Sequence, residues 1–191
     1  MLAEPLEVTL LVIEAFERLN VPYMIRGSLA SSLHGTARST LDTDIVADLR
    51  LGQVTPLVDM LRQDFYIDAN MIVDAIDHQS SFNVVHLKTA FKVDVFIAKK
   101  RSFDMEQFQR RRLEIVVNDP ERKAFVTTAE DIILAKLEWY RLGGSVSDRQ
   151  WRDILGVVRV QAGWLDLDYL QKWASELDVT DLLQRALKEN Q

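Results

Sequence analysis

The sequence predicts an α/β protein of the α+β kind, and three observations carry that reading. Strand-like apolar runs bounded by turn residues recur up to about residue 126: VPYMI (21–25), DTDIVAD (42–48), SFNVVHL (81–87) and FKVDVFIA (91–98). From Thr128 onward the signal changes to helices, the first of them with a cap at Thr128 and Gly143-Gly144 at its end. The composition, 48% hydrophobic and 27% charged over 191 residues, suits one sizeable core, or one domain with a smaller appendage. We therefore expect a first domain over 1–126 and a C-terminal helical subdomain over 127–191.

The elements follow in order. Leu6, Leu10, Ile13 and Phe16 fall on one side of an N-terminal helix. After the strand at 21–25, LASSLHG (29–35) reads as a short helix stopped by Gly35. The strand 42–48 leads to a helix over about 56–64, with Thr55 as N-cap and Pro56 at N1. FYIDA (65–69) reads as a short strand, followed by an irregular stretch through Gln79. The runs at 81–87 and 91–98 are close enough to form a hairpin, and RRRLEIVV (110–117) is a further strand before a turn at Asn118-Asp119-Pro120. Thr128 is a good N-cap for the helix that ends at Gly143-Gly144, and helices are expected at about 148–160, 166–177 and 179–188.

No apolar run approaches the roughly 18 residues that suggest a membrane span. The N-terminus carries acids and lacks a small-residue cleavage site, so no signal peptide is expected. Without cysteine there is neither a disulfide nor a thiolate metal site, which points to a reducing, cytoplasmic setting. A net charge of −6 argues against indiscriminate nucleic-acid binding.

The run TLDTDIVADLR (40–50) places two aspartates inside a core-bound strand. Aspartate is depleted from strands, and burying an unpaired carboxylate is costly. By alternation Asp42 and Asp44 share a face, about 7 Å apart along the chain. Asp94 lies in another strand, between Val93 and Val95. If the two strands are neighbours, three carboxylates converge, and their repulsion calls for protonation or a cation. Mg²⁺ suits an all-oxygen donor set and keeps positions open for phosphates. The competing reading makes Asp42 a strand-start residue and Asp94 a solvent-facing one. Asp48 shares the face by parity, but sits at the strand end and is read as loop solvation. Upstream, Gly27-Ser28 lies between strand and helix, with 13 residues separating Ser28 from Asp42. A glycine there lets a ligand approach the backbone, and the helix N-terminus favours a phosphate.

Arg26-Gly27-Ser28, RSTLDTDIVADL (38–49) and VDVF (93–96), in this order, resemble the nucleotidyltransferase (polymerase-beta-like) superfamily. SLHGTARSTLDTDI is similar to the minimal nucleotidyltransferases of prokaryotic toxin–antitoxin and abortive-infection systems. TTAEDIILAKLEWYR followed by RQWRDILGVV resembles the helical segment of that group. The resemblance covers roughly residues 22–160, and Thr43 departs from the larger apolar residue usual at its position. It implies a mixed β-sheet flanked by helices. It further implies that Asp42, Asp44 and Asp94 are catalytic and bind two Mg²⁺ ions. Gly27 and Ser28 would contact the triphosphate of an NTP, with Lys136 as a phosphate or acceptor contact. In-line attack of a hydroxyl on the α-phosphorus would release pyrophosphate.

For Lys136 the alternative is an ordinary surface lysine, and His34 reads as structural at a helix end. Arg38 either reaches a phosphate or pairs with a neighbouring acid. The runs Lys99-Lys100-Arg101 and Arg110-Arg111-Arg112 either guide an RNA backbone or form solvated faces. Trp139, Tyr140 and Trp151 are either base-stacking or core residues. Three functions stay open. The first is a Mg²⁺-dependent enzyme that nucleotidylates RNA such as tRNA, or a protein hydroxyl, with a cognate toxin or antitoxin partner. The second is an aminoglycoside-modifying enzyme, and the third a non-catalytic binding partner with the same fold.

Overall fold

Alternating burial in the strand-forming runs resolves into one seven-stranded mixed sheet. The computed structural model of the chain describes residues 4–35 and 42–190. Its elements begin with α1 (Glu4–Arg18), β1 (Tyr23–Arg26), α2 (Gly27–His34), β2 (Asp42–Ala47), α3 (Val54–Leu61), β3 (Phe65–Tyr66), α4 (Ala69–Asp77), β4 (Ser81–His86) and β5 (Lys92–Ile97). They continue with α5 (Ser102–Arg110), β6 (Arg112–Asn118), β7 (Glu121–Val126), α6 (Ala129–Leu142), α7 (Asp148–Gln161), α8 (Leu167–Glu176) and α9 (Thr180–Lys188). The polypeptide divides into two units, one drawn from residues 1–26 and 39–126, the other from 27–38 and 127–191.

In the first unit the strand order is β3-β4-β5-β2-β1-β7-β6. β2 runs parallel to β5, and β1 to β7; the other neighbours are antiparallel. One face of the central strands is apolar: Ile25, Ile45, Phe82, Val84, Val93 and Val95 are all buried. Each such side chain contributes about 1.5–3 kcal/mol when removed from water. α1 packs on this face, where the Thr43 hydroxyl lies 3.0 Å from that of Thr9. The Thr9 proton goes to the Pro5 carbonyl at 2.7 Å, which leaves Thr43 as donor to Thr9. Thr43 is thus a buried residue of the core face with its hydroxyl satisfied, and its unusual identity has a local cause.

Several elements differ from the sequence expectation. Residues 69–77 form helix α4 in place of an irregular stretch, because Asp68 caps it by accepting from the Asn70 and Met71 amides while Ile72 and Ala75 are buried one turn apart. The run 110–117 loses its first two residues: Arg110 closes α5, and the strand starts at Arg112. β7 was not expected, since Glu121, Arg122 and Lys123 hide a strand whose Ala124 and Val126 are buried. Helix α3 starts at Val54 after a 3₁₀ turn at Leu51–Gln53, so Gln53 and not Thr55 is its N-cap. Pro56 still falls in the first turn, where its missing N–H costs nothing.

The second unit packs α2 with the C-terminal helices. A Cβ on Gly35 would stand 3.0 Å from the Ser31 carbonyl oxygen and 3.1 Å from backbone atoms of Gly156 and Val157. Gly35 therefore serves close packing of α2 on α7 as well as ending a helix. Tyr140 and Trp151 are core residues with ring centroids 5.2 Å apart, and Arg185 covers the Trp151 ring. Asp131 is fully buried at the start of α6, accepting from Thr128 Oγ1 at 2.8 Å and Tyr169 Oη at 2.6 Å. Tyr169→Phe takes one donor from a buried carboxylate, and we expect a loss of about 1–3 kcal/mol in urea denaturation. An unchanged midpoint and slope would show that this contact carries no stability.

Candidate active site

β2 enters the sheet through Asp42 and β5 through Lys92, and their parallel register decides what meets what. Asp44 pairs with Asp94, and Asp42 with Lys92. Residues paired across neighbouring strands, about 4.8 Å apart, project from the same face. The register extends on both sides: Arg26 of β1 pairs with Asp44, and Asn83 of β4 with Asp94. One row across four strands therefore reads Arg26, Asp44, Asp94, Asn83, with Asp42 and Lys92 in the adjacent row. This is the face opposite Thr43 and Ile45. Asp42, Asp44, Lys92 and Asp94 are half-buried, while their strand neighbours are in the core.

Lys92 was not foreseen as part of this cluster. Its Nζ lies 2.7 Å from Asp94 Oδ2. The hydrogen bond to Asp94 pushes the Lys92 ammonium above the usual lysine range; burial opposes this, and the fields of Asp94, Asp42 and Asp44 reinforce it. The signal was legible by parity, because a residue two before Asp94 shares its face. Arg26 directly precedes Gly27-Ser28, and its guanidinium lies 4.6 Å from the Phe96 ring centroid on this same face.

Among the described residues, no three His, Cys, Asp or Glu side chains form a ready-made metal cage as they stand. In register and in donor chemistry the three aspartates nevertheless fit a hard divalent cation. One of them, Asp94, already holds a cation, the Lys92 ammonium.

No protein-family model matches the chain, and no curated protein matches its sequence. Solved structures do match. The antibiotic-resistance factor ANT(2'')-Ia in solution aligns over 99% of this chain and 100% of its own, with TM-score 0.58 and 14% identity. An antigenic nucleotidyltransferase-like protein from Paracoccidioides brasiliensis aligns over 94% of this chain and 91% of its own, with TM-score 0.53 and 19% identity. The lincosamide antibiotic adenylyltransferase LnuA, with lincomycin bound, aligns over 83% of this chain and 98% of its own, with TM-score 0.50 and 13% identity. The chain has the nucleotidyltransferase fold.

Within the first unit of this nucleotidyltransferase fold, the basic runs are partly committed to structure. Arg101 binds Asp104 through Nε and Nη2 at 2.8 and 3.2 Å. Arg111 lies against the Phe108 and Phe125 rings and donates to the Phe108 carbonyl. Asp48 lies 3.9 Å from Arg50 at the end of β2.

Gly27 follows β1 directly and opens α2 with φ 67°, a left-handed conformation that glycine adopts without strain. Ser28 is the second residue of that helix. In the second unit, Lys136 donates to Asp153 at 3.0 Å, with both side chains about 15% exposed or less. His34 donates through Nε2 to the Thr127 carbonyl, and Gln161 donates to the His34 carbonyl, so this histidine holds the helical unit together. Trp139 is exposed, in contrast to Tyr140 and Trp151. Arg38 lies outside the described residues.

Proposed function

We propose that the chain is a Mg²⁺-dependent nucleotidyltransferase that moves an NMP from an NTP to a hydroxyl acceptor. The observation that carries this reading is the pairing of Asp44 with Asp94, with Asp42 on the same face. Residues 1–126 would form the catalytic domain, with 127–191 as the helical subdomain. Asp42, Asp44 and Asp94 would hold two Mg²⁺ ions. When bound, the metal neutralises the triphosphate and makes the acceptor hydroxyl more acidic. Asp94 would take the hydroxyl proton. The new bond joins that oxygen to the α-phosphorus, and the bond to pyrophosphate breaks in line. Gly27 and Ser28 would receive the triphosphate at the start of α2, where the positive partial charge of a helix N-terminus favours an anion. Lys136 would contact the nucleotide, steered by Asp153.

The sequence resemblance supports RNA such as tRNA, or a protein hydroxyl, as acceptor, with a toxin or antitoxin as cognate partner. A hydroxylated small molecule is the second reading. It is supported by the structural neighbours, of which one was solved with adenylyl-2''-tobramycin and another with lincomycin. Cationic acceptors of that type would also suit a chain of net charge −6.

The test is to supply labelled NTPs and Mg²⁺ with total tRNA, with co-purifying proteins, and with a panel of aminoglycosides and lincosamides. Label appearing in one acceptor class identifies it. No transfer from any NTP to any class, together with a stoichiometric protein complex, would replace the enzyme with a binding module.

A further inference from the structure

Lys92 stands where a cation is wanted. Its strand position pairs it with Asp42, and its ammonium reaches forward to Asp94, the cross-strand partner of Asp44. The Asp94 side chain is 15% exposed and that of Lys92 is 41% exposed. The carboxylate is therefore held in place, while the lysine stem has room to swing into solvent. Two cations sharing one carboxylate repel each other, so Lys92 and a metal ion on Asp94 exclude one another in part.

We propose that Lys92 is a resident counter-ion of Asp94 and that a divalent cation must displace it from Asp94 in order to bind. The inference rests on the reading of Asp42, Asp44 and Asp94 as the metal ligands. Without metal, the ammonium offsets the charge of Asp94. With metal, the same ammonium is a competitor, and it sets the affinity below that of the same cluster without it. Lys92 is thus a positioning residue that acts through the carboxylates, and its effect appears first in metal occupancy.

Mn²⁺ binding to the full chain, read from the electron paramagnetic resonance signal of the free ion, tests this without any turnover. Lys92→Met is expected to bind Mn²⁺ more tightly than the parent by on the order of tenfold, the scale of one charge removed from a partly solvated cluster. The same variant should melt below the parent in EDTA and gain more from added Mg²⁺. Lys92→Arg, which keeps the charge, should bind Mn²⁺ as the parent does. Lys92→Gln provides a second neutral variant if Met does not fold. A neutral, folded variant that binds Mn²⁺ no more tightly than the parent overturns the inference and leaves the metal reading standing. If the parent itself shows no Mn²⁺ binding that Asp44→Asn removes, the metal reading fails and the inference falls with it.

Discussion

Replacing Asp44 with Asn is expected to lower nucleotidyl transfer by about 10³-fold or more, the scale of losing a fixed charge that steadies a transferring phosphoryl group. The variant should remain folded. Asn is nearly isosteric, and the half-buried position lies on the polar face, away from the core residues Thr43 and Ile45. Asp44 sits between Arg26 and Asp94 in the row across the sheet, so losing its charge relieves repulsion with Asp94 and gives up attraction to Arg26. With these two effects opposed, its melting temperature without metal should stay close to that of the parent. Ile45→Ala, one residue away on the opposite face, supplies the contrast. It should cost about 2–5 kcal/mol of stability through the cavity it leaves, while transfer per folded molecule persists. Labelled-NMP incorporation and thermal melts on both variants separate the two faces. An Asp44→Asn protein that still transfers at the parental rate would remove this carboxylate from the chemistry.

How much of this was legible beforehand depends on the range of the interaction. Asp42 and Asp44 share a face by alternation alone, and that could be read from six residues. The pairing of Asp44 with Asp94 could not, because 50 positions separate them and a register shift of one would turn Asp94 to the other face. Lys92 was passed over because a lysine at an alternating position reads as a solvated one, and only the neighbouring acids give it another meaning. Helix α5 left little trace, since Phe103 and Gln107 are its only buried residues. β7 was masked by three charged residues in a row. The basic run at Arg110–Arg112 looked uniform, yet Arg111 is engaged by two aromatic rings, a contact that needs α5 and β7 in place. The C-terminal helices were the easiest elements to read, because Thr128, Ser147 and Asp166 cap them through their side chains and caps are local.

Lys136 is the residue for which stability and function can be pulled apart. Its ammonium and the Asp153 carboxylate form a largely buried pair between α6 and α7. Removing Asp153 takes away the acceptor of the Lys136 ammonium. Asp153→Ala is accordingly expected to destabilise the protein by about 3–5 kcal/mol. Such a loss would depress activity whether or not Lys136 ever meets a nucleotide, so the single variant cannot assign a role. The paired replacement Lys136→Met with Asp153→Leu removes both charges and fills the space with apolar atoms. Its stability should return to within about 1 kcal/mol of the parent, because a buried ion pair and a well-packed apolar pair are often close in free energy. If Lys136 also reaches the triphosphate, this stable protein should bind NTP at least about tenfold more weakly, as expected for a lost charge-assisted hydrogen bond. Chemical denaturation and equilibrium NTP binding on the same two proteins decide the matter. A stable double variant with parental NTP affinity would make Lys136 a strut of the helical unit.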